Sequence, residues 1–149
     1  MKNGKSPITR SENMSRVKGK NTRPEIYLRK LLWNNGIRYR INYKDLPGKP
    51  DIYISKYKAV IFVNGCFWHM HENCKLSTIP KTNYDFWQTK LTGNVERDKL
   101  NYEKLKQQDF SVIIIWGCEI KKMMKDKETE TRYITQILNR LHSAKKHKE

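Results

Sequence analysis

Two short, almost wholly apolar runs constrain the fold of this chain more than any other feature. Residues 59–63 read AVIFV and residues 112–116 read VIIIW. A strand that is apolar on both faces must be covered on both faces by other parts of the protein. We therefore predict that 59–63 is a central strand and that 112–116 is a second buried strand.

Weaker signals predict the other strands. Tyr39, Ile41 and Tyr43 alternate with polar residues, which is typical of a half-buried strand. Residues 46–50 (LPGKP) have the composition of a turn. Residues 51–54 are predicted to form the strand that precedes the central one.

The first helix is predicted to begin at Thr22. Thr22 and Glu25 have the spacing of a capping box, and Pro24 falls in the first turn, where proline is tolerated. Gly36 is expected to end the helix. The stripe that should face the core consists of Ile26, Leu28, Leu31 and Leu32.

Three more helices follow from the pattern of the second half. We predict a helix from residue 84 that stops at Gly93, a second helix over 94–108 and a last helix over 129–144. The element order α-β-β-β-α-α-β-α indicates an α/β domain with a mixed sheet flanked by helices. A length of 149 residues is that of one ordinary domain.

The charge balance favours a polyanionic partner. Lys and Arg outnumber Asp and Glu by 31 to 15, for a formal net charge of +16. Nucleic acid and an anionic membrane surface both fit that charge. The first ten residues lack the apolar core of a signal peptide, and no apolar stretch is long enough to cross a bilayer, so we expect a cytoplasmic, nucleoid-associated protein.

The chain divides into three parts on composition. Residues 1–20 are polar and basic and are predicted to form a flexible arm. Residues 21–120 would form the core, and 121–149 a C-terminal helix with a basic tail. Residues 64–81 show no clear periodicity and are predicted to form a long loop, which in a compact domain is usually functional or disordered.

Four side chains in and beyond this loop have the chemistry of a zinc site. Cys66, His71 and Cys74 lie within nine residues, and Cys118 follows the last apolar run. Thiolates with one imidazole suit tetrahedral zinc. The alternative is that these are unrelated buried thiols, since free cysteine often behaves as a small buried hydrophobe.

A second group of residues suits hydrolytic chemistry. Asp51 at a strand end could hold Mg²⁺ through oxygen ligands, or it could simply cap a turn. His69 could be a metal ligand or a general base, because imidazole exchanges protons near neutral pH. Asp98 could orient His69 or could be a solvated residue near a helix start, and Glu25 has its capping role as an alternative.

The neighbouring aromatic residues allow two interpretations. Phe67 and Trp68 are adjacent, and in a loop both cannot face one core. They could stack on or wedge between bases, or pack under the loop that carries the cysteines. Trp87 on an amphipathic helix is more often a core residue.

Taken together, these residues resemble the very short patch repair DNA mismatch endonucleases. The resemblance runs from about Arg10 to Glu119 and is ordered throughout. The motifs that carry it lie at 10–25 (RSENMSRVKGKNTRPE), 46–51 (LPGKPD), 59–69 (AVIFVNGCFWH), 86–87 (FW), 94–98 (NVERD) and 116–118 (WGC).

The resemblance implies a fold and an activity. The fold would be that of the restriction endonucleases, and the reaction would be nicking of one DNA strand on the 5′ side of the mispaired thymine in a T:G mismatch. Asp51 would hold magnesium together with the backbone carbonyl of Val63, and Glu25 would reach metal-bound water. His69 would be the general base, with Asp98 orienting it.

The resemblance also implies which residues bind zinc and DNA. Cys66, His71, Cys74 and Cys118 would bind structural zinc. The residues that would approach the mismatch are Met14 of the arm, the wedge Phe67, Trp68 and Trp87, and the pair Lys90 and Asn94.

This sequence departs from the family pattern at two places. Two residues, Glu72 and Asn73, separate the zinc-site His from the following Cys where the family usually has one, so the loop should bulge there. Asn64 stands where some members carry a His near the scissile phosphate, and an amide can donate a hydrogen bond but cannot relay a proton.

The resemblance implies partners as well. The chain would be a monomer that acts on double-stranded DNA, alongside mismatch-repair proteins and a cytosine methyltransferase. Two rival functions remain open at this point: a catalytically silent zinc-containing DNA-binding module, and a restriction-like nuclease that cuts undamaged DNA.

Overall fold

A computed structural model describes residues 21–146 of the chain. The predicted arm 1–20, including Met14, lies outside the described residues, as does the end of the basic tail. The strands are β1 (Arg40–Ile41), β2 (Ile52–Ile54), β3 (Ala59–Asn64) and β4 (Ser111–Trp116). The helices are α1 (Arg23–Asn34), α2 (Tyr84–Gln107), α3 (Gly117–Lys125) and α4 (Lys127–Lys146), with 3-10 turns at Ser55–Tyr57 and Lys75–Ser77.

The four strands form one mixed sheet in the order β1-β2-β3-β4. β2 pairs antiparallel with β1 and β3, whereas β3 and β4 run parallel with Asn64 opposite Trp116. Ala59, Val60 and Ile61 are fully buried, as expected of a strand that has neighbours on both sides and helices on its faces. The mixed sheet with flanking helices confirms the predicted fold class.

Helix α1 begins at Thr22, as predicted. The backbone N–H of Glu25 donates to Thr22 Oγ1 at 3.4 Å, and the Glu25 carboxylate accepts from the backbone N–H of Asn21 at 3.0 Å. Leu28 and Leu32 are fully buried. Ile26 was wrongly placed in the core stripe: it is 39% exposed, because two residues turn the helix by about 200° away from Leu28.

The predicted break at Gly93 is wrong. Helix α2 continues unbroken through Gly93 for 24 residues, with Trp87, Leu91 and Leu105 buried. A glycine inside a helix costs only about 1 kcal/mol, and burial of these three large side chains outweighs that cost.

Helix α3 was missing from the predicted order, and the last helix is longer than the predicted 129–144. Gly117 opens α3, and the Glu119 carboxylate accepts from the backbone N–H of Trp116 at 3.2 Å. Both helices complete the main core, which contains Ile120, Met123, Ile134, Ile137 and Leu141 beside Leu28 and Ile61. No helix within residues 21–146 is long and apolar enough to cross a membrane.

Two glycines offer a matched test of these helix assignments. Gly93→Ala should raise the free energy of unfolding by about 0.5–1 kcal/mol, because Gly93 is helical and a Cβ there meets nothing within 4 Å. Gly36→Ala should lower it by about 1–2 kcal/mol, because Gly36 has φ +82°. Urea denaturation measures both, and a destabilised Gly93→Ala would contradict the continuous helix.

Candidate active site and metal centre

A cleft of about 840 Å³ opens where β3 and β4 end. Parallel strands present their carboxyl ends at the same edge of a sheet, so the residues that follow Val63 and Trp116 meet there. Helices α1 and α2 close the sides. The cleft brings together all five of the predicted hydrolytic residues, namely Glu25, Asp51, Val63, His69 and Asp98.

Asp51 is fixed against the end of β3. Its Oδ2 accepts a hydrogen bond from the backbone N–H of Val63 at 2.7 Å. Continuing the register past Ile52 and Ile61 places Pro50 opposite Val63. Proline has no N–H, so the β2–β3 ladder supplies no donor to the Val63 carbonyl. The Asp51 carboxylate and a carbonyl oxygen are therefore both offered at one strand end.

The ionised form of Asp51 is disfavoured in this position. The pKa of Asp51 is raised to about 6, chiefly by burial; the Val63 hydrogen bond lowers it and the negative charge of nearby Glu25 raises it. Glu25 is itself 5% exposed, and its Oε2 is held by Arg29 at 3.3 Å. Two carboxylates that share one cleft form a site that attracts a cation.

His69 and Asp98 form a close pair across the cleft. His69 Nδ1 lies 2.5 Å from Asp98 Oδ2, although 29 residues separate them in the chain. The backbone N–H of His69 donates to the carbonyl of Gly65 at 3.1 Å, which holds the imidazole in a tight turn after β3. A carboxylate at Nδ1 favours the tautomer that leaves the Nε2 lone pair available. The pair is therefore arranged to accept a proton at Nε2.

Sequence reasoning missed Tyr102. Its hydroxyl accepts a hydrogen bond from Asn64 Nδ2 at 2.9 Å, and both residues line the cleft. The signal that could have identified it is its position four residues after Asp98 on a helix, which places both side chains on one face.

The four predicted zinc ligands converge. The ligand atoms of Cys66, His71, Cys74 and Cys118 all lie within 4.8 Å of one another. Between His71 and Cys74, where the loop was expected to bulge, Asn73 has a left-handed backbone with φ +56°. The cluster links the loop after β3 to the start of α3, so it joins two segments that follow neighbouring strands.

Other contacts shape this cluster. The His71 ring stacks on Trp116 with centroids 4.0 Å apart, a contact that sequence reasoning also missed. Burial raises the pKa of Cys66 and Cys118, so in the free protein these thiols keep their protons. A metal that binds here must displace those protons, which makes its affinity rise with pH.

The predicted wedge residues form a compact aromatic cluster. Phe67, Trp68 and Trp87 meet edge to face with ring centroids 5.2–5.5 Å apart. Phe67 is 3% and Trp87 is 2% exposed, so Trp68 forms the accessible side of the cluster. Lys90 Nζ lies 5.6 Å from the Trp68 ring, and Asn94 Nδ2 donates to the Trp68 carbonyl at 3.1 Å. The structure therefore brings all five of these DNA-binding candidates together.

Comparison with known proteins identifies similar chains. A family model described as DNA mismatch endonuclease Vsr matches residues 4–76. The type II nicking enzyme V.NmeAIP of Neisseria meningitidis serogroup A is 45% identical over 86% of this chain and 91% of its own length. The type II nicking enzyme V.XorIIP of Xanthomonas oryzae pv. oryzae is 42% identical over 77% and 84%. The DNA mismatch endonuclease Vsr of Escherichia coli K12 is 39% identical over 76% and 72%.

The buried charge of Asp51 predicts that the free protein is stabilised when that charge is removed. Asp51→Asn should raise the free energy of unfolding at pH 7.5 by about 2–3 kcal/mol, measured without added divalent cations, since the pKa is raised from 3.8 to about 6. The gain should be absent below about pH 4, grow between pH 4 and 6, and be complete above pH 6.

The control is Asp45→Asn, an exposed carboxylate outside the cleft, which should change stability little at any pH. A gain for Asp51→Asn that does not depend on pH would contradict the assignment to the buried charge.

Proposed function

Because the chain belongs to the Vsr family of DNA mismatch endonucleases, we propose that it nicks one strand of duplex DNA on the 5′ side of the mispaired thymine in a T:G mismatch. Membership of the family makes it a DNA-nicking hydrolase. The observation that carries the proposal is the His69–Asp98 pair at 2.5 Å in the same cleft as Asp51 and Glu25. A protein that only binds DNA has no use for that arrangement.

His69 is the general base in this proposal. Its Nε2 takes the proton from the attacking water, and the Asp98 carboxylate stabilises the imidazolium that forms. Asp98 sits on the long helix α2, so the orientation of the base is set by a rigid element and not by the loop alone.

Asp51 and Val63 are the proposed magnesium ligands. The carboxylate, the carbonyl left without a ladder donor and the nearby Glu25 provide hard oxygen atoms, which is the donor set that Mg²⁺ requires. Bound magnesium supplies positive charge that stabilises the phosphodiester as it is attacked. Glu25 is held by Arg29 and reaches this site through water.

Cys66, His71, Cys74 and Cys118 are the proposed zinc ligands. Tetrahedral zinc with sulfur and nitrogen ligands separates its donor atoms by about 3.5–4 Å, and a cluster already within 4.8 Å needs only small movements to reach that spacing. Zinc bound there would tie the loop that carries His69 to helix α3.

The aromatic cluster is the proposed mismatch wedge. Trp68 is the side that bases meet first, and Lys90 and Asn94 lie beside it. Phe67 and Trp87 support it from below in the free protein, so their contact with DNA requires the cluster to open. Separating base pairs costs a few kcal/mol per step and less at a mispair, which favours T:G over paired DNA.

A nicking assay tests the proposed reaction. The wild-type protein with Mg²⁺ should nick a T:G duplex faster than the same duplex with a T:A pair. His69→Ala should reduce the rate by about 10²–10⁴-fold, because it removes the base, and Asp98→Asn should also reduce it. His142→Ala is the matched control: His142 contacts Tyr57 away from the cleft and should keep the wild-type rate.

Two outcomes would overturn parts of this proposal. Equal nicking of the T:G and T:A duplexes would replace mismatch specificity with the restriction-like alternative. Wild-type rates in His69→Ala would remove the base from the mechanism while leaving the nuclease activity in place.

The zinc assignment predicts a metal-dependent loss of stability. His71→Ala should release the zinc that the purified wild-type protein carries and lower its melting temperature by several degrees, because three ligands hold the metal less firmly. Metal analysis and thermal denaturation measure both effects. His142→Ala removes an imidazole outside the cluster and should leave both unchanged, and full zinc content in His71→Ala would contradict the assignment.

A further inference from the structure

Tyr102 occupies a specific position in the cleft that the proposed reaction does not yet use. It follows Asp98 by one helical turn on α2, and its ring packs on Phe62 with centroids 5.0 Å apart. The hydroxyl therefore projects from a ring that is fixed by β3 and by α2.

Within the described residues the Tyr102 hydroxyl accepts a hydrogen bond but does not donate one. Asn64 Nδ2 donates to the Tyr102 oxygen at 2.9 Å, and Asn64 is 3% exposed. An amide nitrogen donates hydrogen bonds and does not accept them, so Tyr102 is the acceptor in this bond. The hydroxyl proton of Tyr102 donates to no acceptor among residues 21–146. The Tyr102 hydroxyl therefore keeps its proton available for an acceptor that enters the cleft.

The surroundings define what that donor can meet. Tyr102 lies close enough to Asp51 and Asp98 for both charges to act on it, and it lines the same cleft as His69. Burial raises the pKa of Tyr102 to about 12, so the phenol stays protonated in the working range of the enzyme. In an enzyme that nicks DNA, the anionic acceptor that enters between these groups is a phosphate of the DNA.

We propose that the Tyr102 hydroxyl, held by Asn64, donates a hydrogen bond to a non-bridging oxygen of the phosphate that is cut. Tyr102 thereby positions the phosphate for in-line attack by the water that His69 activates, and it transfers no proton. This inference rests on the proposed nuclease function and adds one residue to its phosphate-binding groups.

The proposal gives Asn64, at the end of β3, a role in the cleft. A buried amide there cannot exchange protons, but it can orient a hydroxyl that reaches the phosphate in its place. Tyr102 and Asn64 form one unit in this respect, contributed by α2 and β3 respectively.

Single-turnover nicking at saturating protein tests the proposal. Tyr102→Phe keeps the ring on Phe62 and should slow nicking of a T:G duplex by about ten- to a hundredfold, the range expected for loss of a hydrogen bond to a charged oxygen. The duplex is then made with a single phosphorothioate at the scissile position, as separate Rp and Sp diastereomers. Sulfur is a weak acceptor, so for one diastereomer the ratio of wild-type to Tyr102→Phe rate should shrink to within about threefold.

The control variant is Tyr53→Phe. Tyr53 belongs to the same hydrophobic cluster as Tyr102 and is also half buried, but it does not line the cleft. It should nick all three duplexes at the wild-type rate. Melting temperatures of both variants establish that each is folded.

Each outcome separates the inference from the function beneath it. Two results would overturn the role of Tyr102 while the wild-type protein still nicks DNA. In the first, Tyr102→Phe nicks the T:G duplex at the wild-type rate. In the second, Tyr102→Phe slows nicking by the same factor on the oxygen substrate and on both sulfur substrates. A wild-type protein that nicks no duplex overturns the proposed function, and the role of Tyr102 with it.

Discussion

The parallel pairing of β3 with β4 is the constraint on which the rest of the structure depends. With Asn64 opposite Trp116, the chain leaves both strands at the same edge of the sheet, and Cys66 and Cys118 each follow two residues later. The cysteine–histidine cluster and the candidate active-site cleft therefore share one edge. The sheet core is buried and rigid, so a loop anchored at this edge can hold His69 in a reproducible position.

The fold class was predictable because two apolar runs have few ways to be buried. The helix boundaries were less predictable from the sequence. Gly93 resembles a stop signal locally, but its cost of about 1 kcal/mol is small beside the burial of Trp87 and Leu91 before it and of Leu105 after it. Helix α3 was absent from the predicted order, and it begins at Gly117, directly after the last residue of β4.

The candidate site was likewise predictable from the sequence only in part. The residue types alone were enough to predict a metal cluster, since the sulfur atoms of three cysteines and the imidazole nitrogen of a histidine are preferred ligands of zinc. The pairing of His69 with Asp98 could not be obtained from spacing, because it depends on how α2 packs across the end of the sheet. Tyr102 was missed for the same reason, since its partner Asn64 lies 38 residues earlier. The burial of Phe67 was equally invisible, as adjacent aromatics give no indication of which faces inward.

The unbroken course of α2 bears on which insertions and deletions the chain can absorb. Trp87, Asn94, Asp98 and Tyr102 fall at helical spacing along one face, over about 22 Å of helix. One residue inserted between Trp87 and Asp98 would turn the carboxylate about 100° around the axis and away from His69. The loop at Glu72 and Asn73, by contrast, takes up a change in length by a local bulge while its ligand atoms still converge. Related chains should therefore vary in length in the loop and keep the spacing of the helix.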